Sequence, residues 1–167
     1  MPNFTKRRWV GKKTGKNPTD RGKLGVKRSV LTDARGVVLG LVIAPANIHD
    51  LKLAQPTLSS IPIRRPKPSG RQRQHLCADK AYDSSEFRCC AARRHYTPHI
   101  KSRGQEIQEK KRHPHAKARR WVNERTQSWF NRFRRILIRW EKKAENYLAE
   151  LHFVAAWIAF RAAGVFG

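Results

Sequence analysis

The clearest pattern in the chain is a pair of β-forming runs near its start. Residues 26–32 and 37–44 draw their apolar positions from Val, Leu and Ile, and the short segment between them ends in Gly36. Glycine readily adopts the left-handed conformation that a tight hairpin connection needs. The pattern therefore predicts two antiparallel strands, the second of which ends at Pro45.

The apolar spacing in the rest of the chain predicts two more strands and four helices. The first is a helix over 51–58, capped by Asp50 and limited by Pro56, and it is followed by a buried central strand over 75–79. Next come a helix from the cap at 83–86 to about 94 and a strand over 96–100 that contains Pro98. A long helix from about 116 to 140 and a last helix over about 146–163 complete the prediction. Residues 62–74 carry three prolines and predict an exposed linker.

The predicted order is strand, strand, helix, strand, helix, strand, helix. This order resembles that of the ribonuclease H-like fold with its first strand missing or shortened. We therefore expect an α/β protein with a mixed sheet flanked by helices and with long helices towards its C-terminal end. Residues 1–25, rich in Gly, Lys and Thr, predict a basic loop segment, and residues 26–167 predict one partial catalytic domain.

Charge narrows the class of partner. Lys and Arg number 37 against 12 Asp and Glu, which gives a net charge of +25. Such a field favours nucleic acid, because each basic contact to a phosphate releases a counterion. An anionic membrane surface is the alternative partner. The longest apolar run, residues 153–160, is too short to span a bilayer, and no apolar leader opens the chain. Three cysteines without framework spacing favour a reducing, cytoplasmic location.

Two carboxylates stand out against this basic background. Asp79 is the last residue of the predicted strand 75–79, at the strand end where open α/β sheets place ligands, and Glu124 lies on a helix rich in Arg and Trp. Carboxylate oxygens suit hard cations such as Mg²⁺, and paired metal ions drive in-line attack on phosphate. The two acids therefore indicate metal-dependent cleavage of a nucleic-acid backbone.

Each of these features also has a purely structural interpretation. Asp79 could be a turn residue, and Glu124 could form a surface ion pair with Arg120 or Arg125. The aromatic set on the same helix has helical spacing and predicts core packing; it comprises Trp121, Trp129, Phe130 and Phe133. The cysteines, together with His95 and His99, do not have the paired spacing of a zinc site.

Several motifs in this order and spacing resemble bacterial insertion-sequence transposases of the DDE class, in the subgroup whose acidic helix bears a Tyr/Arg/Glu/Lys-type signature. The resemblance covers nearly the whole chain. The motifs are NPTDRGKLG at 17–25, ANIHD at 46–50, ADKAYD at 78–83, WVNER at 121–125, NRFRR at 131–135 and ENYL at 145–148.

The resemblance implies roles for individual residues. Asp79 and Glu124 become the second and third catalytic acids and ligands of Mg²⁺ or Mn²⁺. Arg120, four residues before Glu124, matches the signature arginine, and Lys80 is a second accessory residue. The signature tyrosine position is Lys117 here, and the distal lysine position is Asn131. Residues expected to contact DNA are Arg21, Lys23, Arg125, Arg132, Arg134 and Arg135.

The first catalytic acid of the family has no counterpart in residues 1–19, which contain no Asp or Glu. Asp20 follows, but it falls in a Gly- and Pro-bounded segment, where we expect a loop residue. We therefore expect the C-terminal portion of a transposase, weak or inactive alone because two carboxylates without the third bind metal poorly.

The function implied by the resemblance is strand cleavage at element ends, followed by joining of the 3′-hydroxyl to target DNA. The expected partners are double-stranded DNA and either a second copy of the chain or an upstream transposase fragment. The expected location is the cytoplasm, in association with the nucleoid. A catalytically dead DNA-binding remnant is the alternative, and a ribosome-associated or RNA-binding protein is a weaker one.

Overall fold

The computed structural model describes residues 4–7, 11–69, 71–100 and 120–164, with the backbone alone at 4–7 and at Arg120. The chain forms two compact units. The first combines Met1–Pro62 with Val122–Gly167, and the second is Ile63–Trp121. Both contain helices and strands, so the predicted α/β class is confirmed in this coarse sense, and each unit is described by itself below.

A five-stranded sheet forms the first unit. Its strands are β1 (Phe4–Arg7), β2 (Gly15–Lys16), β3 (Leu24–Thr32), β4 (Val38–Pro45) and β7 (Ile138–Arg139). The predicted hairpin is confirmed: β3 and β4 pair antiparallel, and Gly36 takes a φ of 87° in the turn between them. β1 pairs antiparallel with β3 and parallel with β7.

The expectation that residues 1–25 form a loop is wrong in part. β1 and β2 lie within this range, and β2 pairs with the start of β3 through Gly15 and Lys16. Gly and Lys have low strand propensity, but the backbone of β3 offers hydrogen-bonding groups that these short segments satisfy. A four-residue strand therefore precedes the predicted hairpin.

Helix α1 (Asp50–Ser59) follows the hairpin, and its cap differs from the expected one. The N-cap is His49, whose Nδ1 accepts a hydrogen bond from the backbone N–H of Leu51 over 3.3 Å. Asp50 lies in the first turn instead and pairs with Lys27 of β3 over 3.0 Å. Pro56 lies inside the helix, which continues to Ser59, so this proline does not set the helix end.

The single long helix expected from about 116 to 140 is wrong beyond residue 131. Residues 101–119 lie outside the described part, α3 spans Arg120–Asn131, a short α4 covers Arg134–Leu137 and β7 follows directly. Phe133, with a φ of −89° and a ψ of 102°, breaks the helical path. Tertiary packing overrides helix propensity here, since the break lets Ile136 become buried and lets Ile138 and Arg139 pair with β1.

Helix α5 (Ala144–Ala162) completes the first unit, as the apolar spacing predicts. Its Tyr147, Leu151 and Val154 join Leu41 and Ile43 of β4 in one buried cluster. Phe130 of α3 belongs to this cluster and Trp129 and Phe133 pack against it, whereas Trp121 is 43% exposed, so the core prediction fails for Trp121. In the described ranges, no helix combines the length and the apolar character needed to cross a membrane.

The second unit is smaller. β5 (Gln74–Ala78) and β6 (Tyr96–Ile100) form a parallel two-stranded sheet, joined through a short 3₁₀ helix (Lys80–Tyr82) and α2 (Ser85–Arg93). Ser84 caps α2 by accepting from the N–H of Phe87 over 3.1 Å. β5 was expected to be a buried central strand, but within this sheet it has one partner and only Leu76 of the strand is buried. Polar His75 and Cys77 alternate with the apolar positions, so one face is exposed.

Candidate functional site

Asp79 stands at the end of β5, as the sequence predicts. Its backbone is extended, with a φ of −71° and a ψ of 161°, and it caps the 3₁₀ helix. The carboxylate Oδ1 accepts a hydrogen bond from the N–H of Lys80 over 2.7 Å. The side chain is exposed. This contact is the cap that the turn-residue interpretation expects, and the exposed position at the end of β5 is the one that the ligand interpretation expects.

Glu124 lies in the first half of α3, and its side chain is exposed. The following two residues fasten this helix to the β3–β4 turn. Arg125 Nη2 donates to the carbonyl oxygen of Arg35 over 2.5 Å. The hydroxyl of Thr126 donates to the carbonyl oxygen of Gly36 over 2.8 Å. The guanidinium of Arg125 also lies 4.9 Å from the ring centre of Trp129. The helix position of Glu124 is thus fixed by its neighbours.

Asp79 belongs to the second unit and Glu124 to the first, so each carboxylate is described in its own surroundings. Over the described ranges, no group of three or more His, Cys, Asp or Glu side chains is placed to hold a metal ion. The donor type fits Mg²⁺ or Mn²⁺, because both residues offer carboxylate oxygens accessible to solvent. Binding of Mg²⁺ or Mn²⁺ can therefore be tested by substituting Asp79 and Glu124.

Most other described acids already have structural partners. Asp20 pairs with Lys23 over 3.4 Å in an exposed turn, which agrees with its expected loop role. Asp33 Oδ1 accepts from the N–H of Arg35 and of Val37 and closes the hairpin turn. Asp50 pairs with Lys27, Asp83 with Arg88, and Glu141 and Glu150 with Arg135. These six acids therefore have structural partners, and it is the family resemblance that selects Asp79 and Glu124 as candidate ligands.

The basic residues predicted to contact DNA differ in how accessible their charge is. Arg132 and Arg134 are exposed at the end of α3 and the start of α4. Arg135 is exposed but lies between Glu141 and Glu150 at 2.6 and 2.8 Å. Hydrogen bonds to Glu150 and then to Glu141 raise the pKa of Arg135. Its charge is already balanced, which makes it the weakest of these phosphate-binding candidates.

The remaining residues with predicted roles are Arg21, Lys23, Lys80 and Arg120. Arg21 has a φ of 51° and, with Lys23, is exposed in the turn before β3. Lys80 is exposed beside Asp79. The side chain of Arg120 lies outside the described residues, so its role as the signature arginine stays a prediction.

Two buried arginines, Arg28 and Arg139, were not predicted from the sequence. Arg28 of β3 is 4% exposed, and its Nη2 donates to Asn131 Oδ1 over 2.9 Å. Its Nε and Nη1 are buried without a hydrogen-bond partner among the described residues. Burial lowers the pKa of the Arg28 guanidinium, and the neighbouring Tyr147 opposes that shift. Arg28 thus links the sheet to the end of the helix that carries Glu124.

Arg139 of β7 is fully buried, but its guanidinium is well satisfied. It donates to the carbonyl oxygens of Lys12, Glu141 and Lys142 over 3.1 to 3.2 Å. This single side chain ties the segment after β1, the end of β7 and the start of α5 together. The sequence pattern predicted the opposite, because alternation with the apolar Ile138 and the charge of the side chain both favour exposure of Arg139.

Comparison with known proteins identifies one family and one curated relative. The family described as transposase DDE domain matches residues 3–157 of the chain. A proposed transposase for insertion sequence element IS402 of Burkholderia cepacia is 38% identical over 148 residues, which cover 87% of this chain and 67% of that relative. No solved structure gives a significant match.

Proposed function

The chain belongs to the transposase DDE domain family, and from this premise we propose that it is a transposase catalytic domain that cleaves and joins DNA strands with a divalent metal ion. The observation that carries the proposal is the family match itself. It spans residues 3–157 and so includes both Asp79 and Glu124, and each of these offers an exposed carboxylate from a defined element.

Asp79 and Glu124 would hold Mg²⁺ or Mn²⁺ through their carboxylate oxygens. When bound, such an ion supplies charge stabilisation at the phosphate and lowers the pKa of a water nucleophile. The cap from the N–H of Lys80 restricts the rotation of Asp79, which prepares one ligand in advance. The hydrogen bond of Thr126 to the hairpin turn orients the helix of the other ligand.

The substrate is proposed to be double-stranded DNA at element ends and at a target site. Lys80 beside Asp79 and Arg120 one helical turn before Glu124 would neutralise phosphate charge near the carboxylates. Arg132 and Arg134 offer exposed guanidinium groups for backbone contacts. The net charge of +25 supports this assignment of a polyanionic partner.

A ribonuclease H-like arrangement of residues 26–167 together with β1 is the fold that we propose for this chemistry. β1 gives a strand ahead of the β3–β4 hairpin, and it is short, with four residues. The run β4–β3–β1 is antiparallel, and α1 follows it in the chain. These features support the proposed order of elements, and a meeting of Asp79 with Glu124 is the part of the proposal that an experiment must address.

A shared metal ion can be tested by a double-mutant cycle on Mn²⁺ affinity, measured by electron paramagnetic resonance. We expect Asp79→Asn and Glu124→Gln each to weaken Mn²⁺ binding, and the double variant to be no weaker than the worse single variant. Ligands of one ion are coupled in this way, whereas independent sites give additive losses. Asp83→Asn, four residues from Asp79, is the matched control and should bind as the parent does. Additive losses, or no loss, would refute the shared site.

A second experiment distinguishes an active transposase from a catalytically dead remnant that only binds DNA. The resemblance requires a third carboxylate, and residues 1–19 contain none. We propose that the chain alone nicks supercoiled DNA weakly or not at all in Mn²⁺ while binding it firmly. Nicking that depends on Asp79 and Glu124 supports an enzyme. Firm DNA binding without nicking, even when a second copy or an upstream transposase fragment is added, supports the remnant.

A further inference from the structure

An exposed pair of histidines lies on the two-stranded sheet of the second unit. His75 is on β5 and His99 on β6, 24 positions apart in the chain, and both side chains are exposed. His75 Nδ1 lies 2.6 Å from His99 Nε2, and the ring centres are 4.9 Å apart with a tilt of 38°. The parallel register brings them together, because it pairs His75 with Thr97 and Cys77 with His99.

This pair occupies the face of the sheet opposite the buried one. Leu76 and Ile100 are buried, and they alternate with His75, Cys77 and His99, which are exposed. The two imidazole rings therefore lie on the exposed face of a regular backbone ladder. An imidazole pair on such a rigid ladder presents two nitrogen donors at a fixed separation.

We propose that His75 and His99 form a binding site for a divalent transition metal ion such as Zn²⁺, distinct from the carboxylates. Imidazole nitrogen suits Zn²⁺, Ni²⁺ and Cu²⁺, whereas Mg²⁺ takes oxygen ligands. Bonds of about 2.0–2.1 Å in tetrahedral geometry put two nitrogen ligands roughly 3.3 Å apart, so the rings need to separate by less than about 1 Å. Water fills the remaining coordination positions.

The pair was not visible in the sequence because its spacing matches no zinc motif. The proton shared by the two nitrogens must leave when the ion binds, since both then donate lone pairs to the metal. In the neutral pair this proton moves, by exchange with solvent, to the other ring nitrogen of the same histidine, so both histidines bind the ion as neutral imidazoles and no net proton is released. The alternative is a histidine–histidine hydrogen bond that serves only to join the two strands.

The test is a Zn²⁺ titration of the full chain, under reducing conditions, with a colorimetric competitor and excess Mg²⁺ to occupy oxygen-rich sites. We expect the parent chain to bind one more Zn²⁺ per molecule than the variant with both His75→Asn and His99→Asn. His95→Asn is the matched control: His95 is exposed in the same unit, and its φ of 59° is one that asparagine tolerates. This control should keep the full stoichiometry.

A second measurement does not depend on the folding of the double variant. In the parent chain, Zn²⁺ should shift the imidazole nitrogen resonances of His75 and His99 in a proton–nitrogen correlation spectrum and leave those of His95 and His152 in place. Equal Zn²⁺ stoichiometry in the parent chain and the double variant would overturn the proposal. Shifts confined to other histidines, or none at saturating Zn²⁺, would do so as well.

Discussion

The hydroxyl of Thr126 donates to the carbonyl oxygen of Gly36 over 2.8 Å, across 90 positions of the chain. Thr126 is fully buried, so this bond is made away from water. It joins the helix that carries Glu124 to the turn between β3 and β4. The stability of the first unit and the orientation of a candidate metal ligand therefore depend on the same contact.

Replacing Thr126 by valine keeps the side-chain shape and removes the donor. The buried carbonyl of Gly36 then lacks this partner, and we expect the free energy of unfolding to fall by about 1–3 kcal/mol. Urea unfolding followed by tryptophan fluorescence measures the change. Thr126→Ser retains the hydroxyl and should recover part of the loss; equal losses in both variants would indicate that packing of the methyl group, not the hydrogen bond, matters.

Gly36→Ala should destabilise the same junction from the other side. The φ of 87° is unfavourable for alanine, and a Cβ would lie 2.8 Å from Thr126 Oγ1. We expect a loss of about 1–3 kcal/mol in unfolding free energy. Gly22→Ala is a useful comparison, because its φ is 70° but no atom lies within 4 Å of the added Cβ. A larger loss at Gly22 than at Gly36 would contradict the steric part of this argument.

Replacement by methionine should lower the free energy of unfolding much more at Arg139 than at Arg28. Arg139→Met removes the donor for three carbonyl oxygens, so we expect a loss of at least about 3 kcal/mol. Arg28→Met removes a buried cation with two unpartnered N–H-bearing nitrogens, and we expect the stability to change by less than about 1 kcal/mol or to rise. Urea unfolding measures both changes, because a shift of the midpoint reports stability when the dependence of the unfolding free energy on urea concentration is the same. A greater loss at Arg28 than at Arg139 would mean that Arg28 has a counterion in solution.

Neighbouring arginines on α4 should differ in their contribution to DNA binding. Arg134 is exposed, whereas Arg135 is held by Glu141 and Glu150. We expect Arg134→Gln to weaken DNA binding and to reduce the slope of log K against log salt concentration by about 0.9, the value for one lost phosphate contact. Arg135→Gln should leave that slope unchanged. Fluorescence anisotropy over a salt series measures both, and equal slopes in the two variants would remove Arg134 from the DNA interface.

Removal of the candidate ligands should not harm DNA binding without metal. Asp79→Asn and Glu124→Gln each remove a negative charge that repels phosphate, so in a chelating buffer we expect affinity to stay the same or to increase. Anisotropy with EDTA present measures this. If both substitutions instead abolished binding, these residues would be structural, and their assignment as metal ligands would be untenable.

Local chemistry made much of the fold predictable. The β3–β4 hairpin follows from β-forming residues on either side of Gly36, and α5 follows from an apolar helical spacing that the structure buries against the sheet. Phe130 joined the core as its spacing indicated, but Trp121 did not, because spacing along a helix does not say how far the buried stripe extends. The α/β class and the family were therefore accessible from sequence.

The parts that failed depend on distant partners. β1, β2 and β7 are two to four residues long and exist through pairing with strands elsewhere in the chain, so no local pattern marks them. The end of α3 is set by the burial of Ile136 and Arg139. In the same way, the positions of Asp79 and Glu124 on a strand end and a helix were predictable, whereas the engagement of Arg125 and Arg135 by neighbouring groups was not.

The parallel pairing of Lys6 with Ile138 has a consequence for the way the protein is made. The ribosome releases the first strand of this sheet long before its partner β7 is synthesised. During that interval one edge of β1 lacks its native neighbour and can recruit another strand. A nascent or prematurely terminated chain that stops short of residue 138 should consequently be more prone to aggregation than a chain that includes β7.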